Sequence, residues 1–208
     1  MEPNERVEEA KRVLESEAKA IYATSKKLDL NFSKCIDLII GCKGTIVISG
    51  IGKSGNIGKK ITSTLSSLGT PSIFLHTTDA FHGDLGTLRK NDLLILISNS
   101  GETSELIKLL EYAESNGNKI IGITGHINST ISKLSTVALN SSVESEACPL
   151  NLAPTCSTSV TMALGDALAS ICAIERGFKE HDFARYHPSG NLHKINFETV
   201  KNIMNKEL

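Results

Sequence analysis

Apolar residues along this chain alternate between short continuous runs and longer segments with helical spacing. The short runs are rich in Ile, Val and Leu and lie at 45–49, 72–76, 93–98, 119–124 and 135–139. Runs of this length and composition are typical of buried strands. Segments with an apolar residue every three or four positions lie between them, at about 54–68, 103–116 and 129–134. This alternation predicts an α/β fold, a three-layer α/β/α sandwich around a five-stranded parallel sheet.

Further helices are predicted on either side of these alternating elements. Residues 3–28 place Val7, Leu14 and Ile21 among Glu and Lys, which predicts an amphipathic helix with one buried stripe. A shorter helix is predicted at 32–41, and a long one at about 156–176.

The long helix is expected to bury one apolar side, formed by Val160, Ala163, Leu164, Ala167, Leu168 and Ile171. After Arg176 the chain is polar, and its expected anchors are Phe178, Phe183 and Tyr186. No repeat or linker is visible, so residues 1–208 are predicted to form a single domain.

Composition and charge exclude several classes of protein. The net charge of −1 gives no support to nucleic-acid binding, so any anion site must be local. The five cysteines include no Cys-x-x-Cys pair, which favours a reducing compartment over a disulfide framework or a structural zinc site. The first residues lack the apolar core of a signal peptide, and no apolar run is expected to span a membrane. A cytoplasmic protein is therefore predicted.

The turn after the first strand has glycines at the spacing of a dinucleotide-binding turn. A dinucleotide-binding domain also has an acid at the end of the second strand, which binds a ribose hydroxyl. This chain has Leu75 and His76 there. A P-loop is excluded because Val47 stands where its first glycine should be. Free N–H groups at a helix start suit an anion, so a phosphate is favoured and dinucleotide binding is the weaker alternative.

The turn after the third strand is crowded with hydroxyl groups. Ser98, Ser100, Thr103 and Ser104 surround Gly101, with Asn99 among them. Such residues are also preferred helix caps, but one cap needs only one of them. The surplus favours a phosphate cradle.

Charged residues beside these turns are candidates for catalysis. Lys53 lies between two glycines in the first turn, and Glu105 begins the helix after the second. Glu146 follows the last strand, at a point where the chain returns to the carboxyl ends of the strands. Each also has an ordinary interpretation as a solvated surface residue, or, for Glu105, as an acid that complements the helix dipole.

Three histidines complete the candidate set. His76 and His82 share a loop with Asp79, but this loop has no firm metal-ligand spacing. His187 precedes Pro188 on a predicted tight turn that would present its ring.

Seven short motifs occur together and in order along the chain. They are 49–55 (SGIGKSG), 82–86 (HGDLG), 98–105 (SNSGETSE), 146–149 (EACP), 152–155 (LAPT), 165–168 (GDAL) and 187–190 (HPSG). With these motifs the chain resembles the sugar isomerase (SIS) domain and, within it, the arabinose 5-phosphate isomerases. The resemblance covers nearly all of the chain. It implies interconversion of D-ribulose 5-phosphate and D-arabinose 5-phosphate through a cis-enediol, without a redox cofactor, as the entry to the lipopolysaccharide and capsule sugar Kdo.

The resemblance also implies a role for each candidate residue. The family's catalytic positions fall on Lys53, Glu105, Glu146 and His187, and its phosphate-binding positions on Ser54, Ser98, Asn99, Ser100 and Thr103. His82 would face the sugar, and His76 matches a histidine associated with an inhibitory zinc that the reaction does not require.

From the chemistry we expect Glu146, with Glu105 as its rival, to move the proton between C1 and C2. Lys53 would stabilise the enediolate, and His187 would handle hydroxyl protons.

The resemblance implies a homo-oligomer, a dimer of dimers, with active sites shared between subunits. Family members commonly carry two CBS regulatory modules, whereas only 21 residues follow His187 here, so a short form without them is expected. The motif at 187–193 reads HPSGNLH where the family usually has HPGGALG.

Two other functions stay open. One is a non-catalytic phosphosugar sensor, and the other is isomerisation of a hexulose 6-phosphate. Retention of Lys53, both glutamates and His187 favours an enzyme, because binding alone needs only the cradle.

Overall fold

The computed structural model describes residues 1–188 and contains a parallel five-stranded sheet. The strands are β1 (Ile46–Gly50), β2 (Ser72–Phe74), β3 (Leu93–Ile97), β4 (Lys119–Thr124) and β5 (Val137–Asn140). Their order in the sheet is β2-β1-β3-β4-β5. The predicted fold class and all five predicted strands are confirmed. Strand β2 ends earlier than predicted because a helix begins at Thr77.

Helices surround this sheet. They are α1 (Pro3–Lys27), α2 (Leu30–Gly41), α3 (Gly52–Ser67), α4 (Thr77–Ala80), α5 (Ser104–Asn116), α6 (Thr130–Leu134), α7 (Cys156–Glu175) and α8 (Glu180–Tyr186), with a 3₁₀ helix at Asp84–Thr87. Every predicted helix is present close to its predicted bounds. The sequence pattern did not predict α4, α8 or the 3₁₀ helix, since helices of four to seven residues are too short to show an apolar period.

Alternate residues of the central strands enter two different cores. In β3, Leu93, Ile95 and Ile97 face the side covered by α2, α3 and α7. Leu94 and Leu96 face the side covered by α4, α5 and α6. Burial on both faces explains why these strands are continuous apolar runs rather than alternating ones.

Helix α1 does not bury the predicted apolar stripe. Val7, Leu14 and Ile21 are 53%, 67% and 38% exposed in this chain. The helix instead lies against α7 with a face of small or polar residues, on which Thr24 is buried and Ala20 contacts the core. The prediction was wrong because α1 is an outer helix that covers α7 rather than the sheet.

Within residues 1–188 one helix, α7, is long and apolar enough to span a membrane. This finding corrects the expectation that no apolar segment reaches this length. Half of its most apolar window is buried inside the protein, where α7 contacts α1, α2 and α3. A helix buried in a protein core can have the same length and the same apolar composition as a membrane-spanning helix. On its predicted apolar side Leu164 and Leu168 are buried, whereas Ile171 is 37% exposed.

The chain reverses direction across the sheet beside β1. It passes from β1 to β2 on one side, and then crosses to β3 on the other side of β1. Open α/β sheets bind ligands in the crevice that such a reversal leaves at the carboxyl ends of the strands. Gly50 and Ile97, the last residues of β1 and β3, are paired in register, so the two candidate turns begin side by side.

Candidate active site

The turn after β1 uses glycines to bring the strand and α3 close together. A Cβ on Gly50 would lie 3.1 Å from the amide nitrogen of Gly55, and one on Gly55 would lie 2.6 Å from the carbonyl oxygen of Gly50. Gly52 has a φ of +59°, in the left-handed region that favours glycine. Because α3 begins at Gly52, Lys53 lies in the first helical turn, earlier than the predicted start at 54.

Lys53 is exposed at the positive end of the α3 dipole, and Ser54 beside it is half-buried. Among the residues described, the Lys53 ammonium group has no acidic partner within ion-pair distance. A lysine at a helix N-terminus is electrostatically unfavourable. A bound anion would complement both the ammonium group and the helix dipole.

Hydroxyl groups in the turn after β3 hold the turn in its shape. Ser98 Oγ lies 2.9 Å from Thr103 Oγ1 and accepts the N–H of Gly101 at 3.0 Å. Ser98 is buried, so its hydroxyl serves the turn itself. Asn99 and Ser100 are exposed. The predicted cradle therefore contains both residues that shape the turn and residues that face solvent.

The helices that begin at these two turns lack side-chain caps. Neither Ile51, before α3, nor Thr103, before α5, makes a capping hydrogen bond within the described structure. By contrast, Asp29 caps α2 and Ser129 caps α6. The first N–H groups of α3, and those of α5 apart from the N–H of Glu105, are thus available to a ligand, which favours the phosphate interpretation over capping.

Glu105 lies in the first turn of α5 and is exposed. Hydrogen bonds from its own backbone N–H and from the Ser104 hydroxyl, at 2.8 Å, hold the pKa of its carboxyl below the usual value. These contacts are those of an acid that complements the helix dipole. The Glu105 carboxylate remains accessible to solvent beside the cradle.

Glu146 is held at the start of α7. Its Oε2 accepts the N–H of Thr155 at 2.8 Å, the Thr155 hydroxyl at 3.1 Å and the N–H of Ser157 at 3.1 Å. Burial alone raises the pKa of this carboxyl, but hydrogen bonds from Ser157 and Thr155 outweigh it and hold the pKa below its usual value. The carboxylate is therefore ionised near neutral pH. Among the described residues Oε1 accepts no hydrogen bond and is free to act on a ligand.

The residues that hold Glu146 were not identified from the sequence. Asn151, which has a φ of +53°, accepts the backbone N–H of Glu146 through its side chain at 2.6 Å. Thr155 and Ser157 supply the donors to the carboxylate. The motif at 152–155 marks this segment, but only the folded loop shows that it orients Glu146.

Helices α3 and α7 run side by side with their N-termini at the same edge of the sheet. Lys60 forms an ion pair with Asp166, and Ile61 contacts Gly165, about midway along both helices. The C-terminus of α7 lies at the other edge, where Arg176 donates to the carbonyl oxygen of Ile39 at the end of α2. Lys53, the two turns and Glu146 are therefore brought to one edge.

His126 is a further polar residue that the sequence pattern did not identify. It follows β4, and its Nδ1 lies 2.9 Å from the carbonyl oxygen of Asn99. The same carbonyl accepts the N–H of Gly125 at 3.0 Å. His126 therefore fastens the loop after β4 to the second turn.

The loop after β2 carries the other two predicted histidines. His76 Nδ1 lies 3.8 Å from Asp79 Oδ2, and His82 is exposed on a turn. Residues 1–188 contain no group of three or more His, Cys, Asp or Glu side chains placed to hold a metal ion. The residues described do not by themselves form the zinc site that the resemblance implied at His76.

His187 is not brought to this site within the described part of the chain. Its ring stacks on Phe183 with centroids 3.9 Å apart, and its Nδ1 lies 2.9 Å from the Phe183 carbonyl oxygen. Nearby, Phe178 stacks on Tyr186 and covers Gly69, where a Cβ would meet the Phe178 ring at 2.8 Å. Helix α8 is thus anchored at the end of α7 opposite Glu146. The turn predicted at 189–190 lies outside the described residues.

Comparison with known proteins identifies relatives of this arrangement. A family model described as "SIS domain" matches residues 38–171. The chain is 46% identical over 199 residues to "Arabinose 5-phosphate isomerase KpsF" of Escherichia coli O6:H1, covering 95% of this chain and 61% of that protein. It is 49% identical over 195 residues to a "Probable arabinose 5-phosphate isomerase" of Haemophilus influenzae, covering 94% and 58%. The chain thus spans about 60% of the length of these curated relatives.

Solved structures show the same fold. A structure from Escherichia coli CFT073 in complex with arabinose 5-phosphate has a TM-score of 0.87 and 38% identity, covering 90% of this chain and all of that one. The Vibrio vulnificus NanR protein complexed with ManNAc-6P has a TM-score of 0.74 at 19% identity, covering 89% and 69%. The second likeness is one of fold alone.

Proposed function

This chain belongs to the SIS domain family, and from that premise we propose that it is an isomerase interconverting D-ribulose 5-phosphate and D-arabinose 5-phosphate. One observation carries the proposal: two uncapped helix starts meet at the β1/β3 reversal, on the edge where Glu146 is held ionised. The names of the curated relatives and the arabinose 5-phosphate complex of a structural neighbour support the choice of substrate. The product would supply Kdo biosynthesis for lipopolysaccharide or capsule.

The phosphate of the substrate is proposed to bind at the two turns. The N–H groups at the start of α5 that Glu105 does not occupy, and the exposed Asn99 and Ser100, face the ligand, while Ser98 and Thr103 fix the turn around them. Ser54 contributes from the first turn of α3. A phosphate dianion complements the positive ends of both helix dipoles.

Glu146 is the proposed base. With the ketose as substrate, its carboxylate takes a proton from C1, and a double bond forms between C1 and C2. The carbonyl oxygen O2 gains a proton and O1 loses one, after which Glu146 returns its proton to C2. A general base of this kind must be ionised before it acts, which the hydrogen bonds from Thr155 and Ser157 ensure.

Lys53 is proposed to stabilise the negative charge that develops on the enediolate oxygen. Its side chain extends from the first turn of α3 beside the phosphate turns, so it also assists binding. Glu105 remains the rival base, and His82 is proposed to face the sugar.

His187 is proposed to reach the site from another copy of the chain. Within one chain its ring is held on α8, at the end of α7 that lies away from Glu146. A homo-oligomer, a dimer of dimers with shared sites, would bring it to a neighbour's cradle. The exposed stripe of α1 is the proposed contact surface.

We further propose that residues 1–208 act as one SIS domain in the cytoplasm. All five cysteines are free thiols, which supports a reducing compartment.

The test is a coupled assay on the purified protein. Ribulose 5-phosphate is supplied with a chelator and without NAD, and arabinose 5-phosphate is detected. Turnover is expected under these conditions. A hexulose 6-phosphate is assayed in parallel, and a preference for it would overturn the proposed substrate. Absence of turnover on both sugars, with a thermal shift on phosphosugar binding, would support a sensor instead.

A further inference from the structure

Helix α1 contacts the loop that carries Glu146 from outside the sheet. Arg12 Nη2 donates to the carbonyl oxygen of Ala147 at 2.7 Å. Ala147 is buried, and its own N–H donates to Thr155 Oγ1 at 2.8 Å. Both backbone polar groups of the residue that follows Glu146 are therefore bonded.

Arg12 is itself oriented by a carboxylate on the same helix. Its Nε lies 2.9 Å from both carboxylate oxygens of Glu9, and its Nη2 lies 2.7 Å from Oε1. A forked pair of this kind fixes the plane of the guanidinium group. The second N–H of Nη2 is thereby directed at the carbonyl oxygen of Ala147.

These contacts form a continuous chain that ends at the carboxylate. Arg12 donates to the carbonyl oxygen of Ala147, and the N–H of Ala147 donates to Thr155 Oγ1. The Thr155 hydroxyl in turn donates to Glu146 Oε2. A second tie runs beside the first, since Glu17 Oε2 accepts the Ser159 hydroxyl at 2.6 Å in the first turn of α7. Helix α1 thus braces both the loop and the helix start that support Glu146.

We propose that Arg12 is a positioning residue for Glu146, acting through Ala147 and Thr155. The proposal rests on the proposed function, in which Glu146 moves the proton. Arg12 touches no part of the cradle, so it should affect the proton transfer and not the binding of the phosphate.

The test compares Arg12→Met, which keeps the apolar stem, with Arg12→Lys, which keeps a charge without the fork. Lys11→Met is the matched control, because Lys11 forms the same kind of pair with Glu8, one position away, and donates to no other residue within 1–188. Small displacements of a catalytic group are costly, so Arg12→Met should lower kcat about tenfold while KM stays within about twofold. Arg12→Lys should recover part of the loss, and Lys11→Met should match the wild type.

The pH profile and hydrogen exchange separate positioning from a general loss of structure. If the Thr155 bond to Glu146 loosens, the pKa of that carboxyl rises, and the acid limb of kcat should move to higher pH in Arg12→Met. Exchange of the Thr155 and Ser157 N–H groups should also become faster in Arg12→Met, but not in Lys11→Met. Hydrogen exchange can be measured even if the wild type proves inactive as an isomerase. Such inactivity would refute the proposed function but not the positioning of Glu146 by Arg12. Wild-type exchange and pH profile in Arg12→Met, or a change in KM without one in kcat, would overturn the positioning role.

Discussion

At the scale of single residues, Glu146 has two roles that come from the same contacts. Two backbone N–H groups at the start of α7 and one hydroxyl bind its Oε2, so the carboxylate caps the helix. The same bonds keep it ionised and leave Oε1 free. The rival Glu105 has only its own N–H and Ser104 as partners.

Glu146→Gln should therefore lower both stability and activity. A glutamine keeps the shape but loses the charge, so we expect the free energy of unfolding to fall by about 1–2 kcal/mol at neutral pH. General-base catalysis is worth at least about 100-fold, so kcat should fall by that factor or more. Near-wild-type turnover would remove Glu146 from the proton transfer and favour Glu105.

The stability effect has a defined pH dependence. The pKa of the folded-state carboxyl lies below its ordinary value of 4.5, so its contribution is fully present above that value and is lost as pH falls through the folded pKa. Urea titrations of the wild type and Glu146→Gln should therefore converge at low pH. Glu144→Gln, at an exposed position two residues away, should show no such difference.

Gly101 is the glycine on which the second turn most depends. Its φ is +67°, and a Cβ would lie 2.0 Å from Ser129 Oγ. Gly101→Ala must therefore displace Ser129 or the turn, and we expect KM for the phosphosugar to rise about tenfold or more. The control is Gly117→Ala, where φ is +85° but the nearest atom to a Cβ is 3.9 Å away. That variant should lose about 1 kcal/mol of stability and keep its KM, as measured by urea unfolding and steady-state kinetics.

At the scale of elements, the site depends on how closely α3 and α7 approach. Gly165 faces the buried Ile61, and a Cβ there would lie 2.3 Å from the Ile61 side chain. This contact keeps the two helix N-termini at the same edge of the sheet. The spacing of apolar residues predicts each helix, but not this distance between them.

Gly165→Ala should destabilise the protein in spite of its better helix propensity. Overpacking costs about 1–3 kcal/mol, and the gain of alanine over glycine is about 1 kcal/mol, so a net loss of up to about 2 kcal/mol is expected. Gly41→Ala is the control, since it is also helical and its Cβ would meet nothing within 4 Å. Urea unfolding should show Gly41→Ala unchanged or more stable, and equal behaviour of the two variants would contradict the close packing.

At the scale of the whole molecule, one chain presents an incomplete set of the proposed catalytic residues. His187 is held on α8 away from Glu146, and Val7, Leu14 and Ile21 form an exposed apolar stripe at seven-residue spacing. Apolar stripes of this kind are commonly covered by a partner. Both features support the proposed oligomer with shared sites.

Mixing two inactive variants tests this arrangement. If Lys53 and His187 of one site come from different copies, refolding Lys53→Ala together with His187→Ala creates some sites with both native residues. Random pairing should then restore about a quarter of wild-type activity. No recovery, with mixed oligomers shown by mass spectrometry, would mean that each site takes both residues from one chain. A monomer by sedimentation would exclude sharing altogether.

The amino-acid sequence by itself determined the layers, the strands and the site edge. Strands buried on both faces must be continuous apolar runs, and the helices between them must show a 3.6-residue period, so both are visible locally. The glycines and hydroxyl residues of the two turns can also be identified locally, because they are adjacent in the sequence. Only the tertiary structure decided which face of α1 is covered, how Thr155 and Ser157 hold Glu146, that Arg12 reaches Ala147, and that His187 lies apart. These features depend on contacts between residues far apart in the chain, whose geometry no local period records.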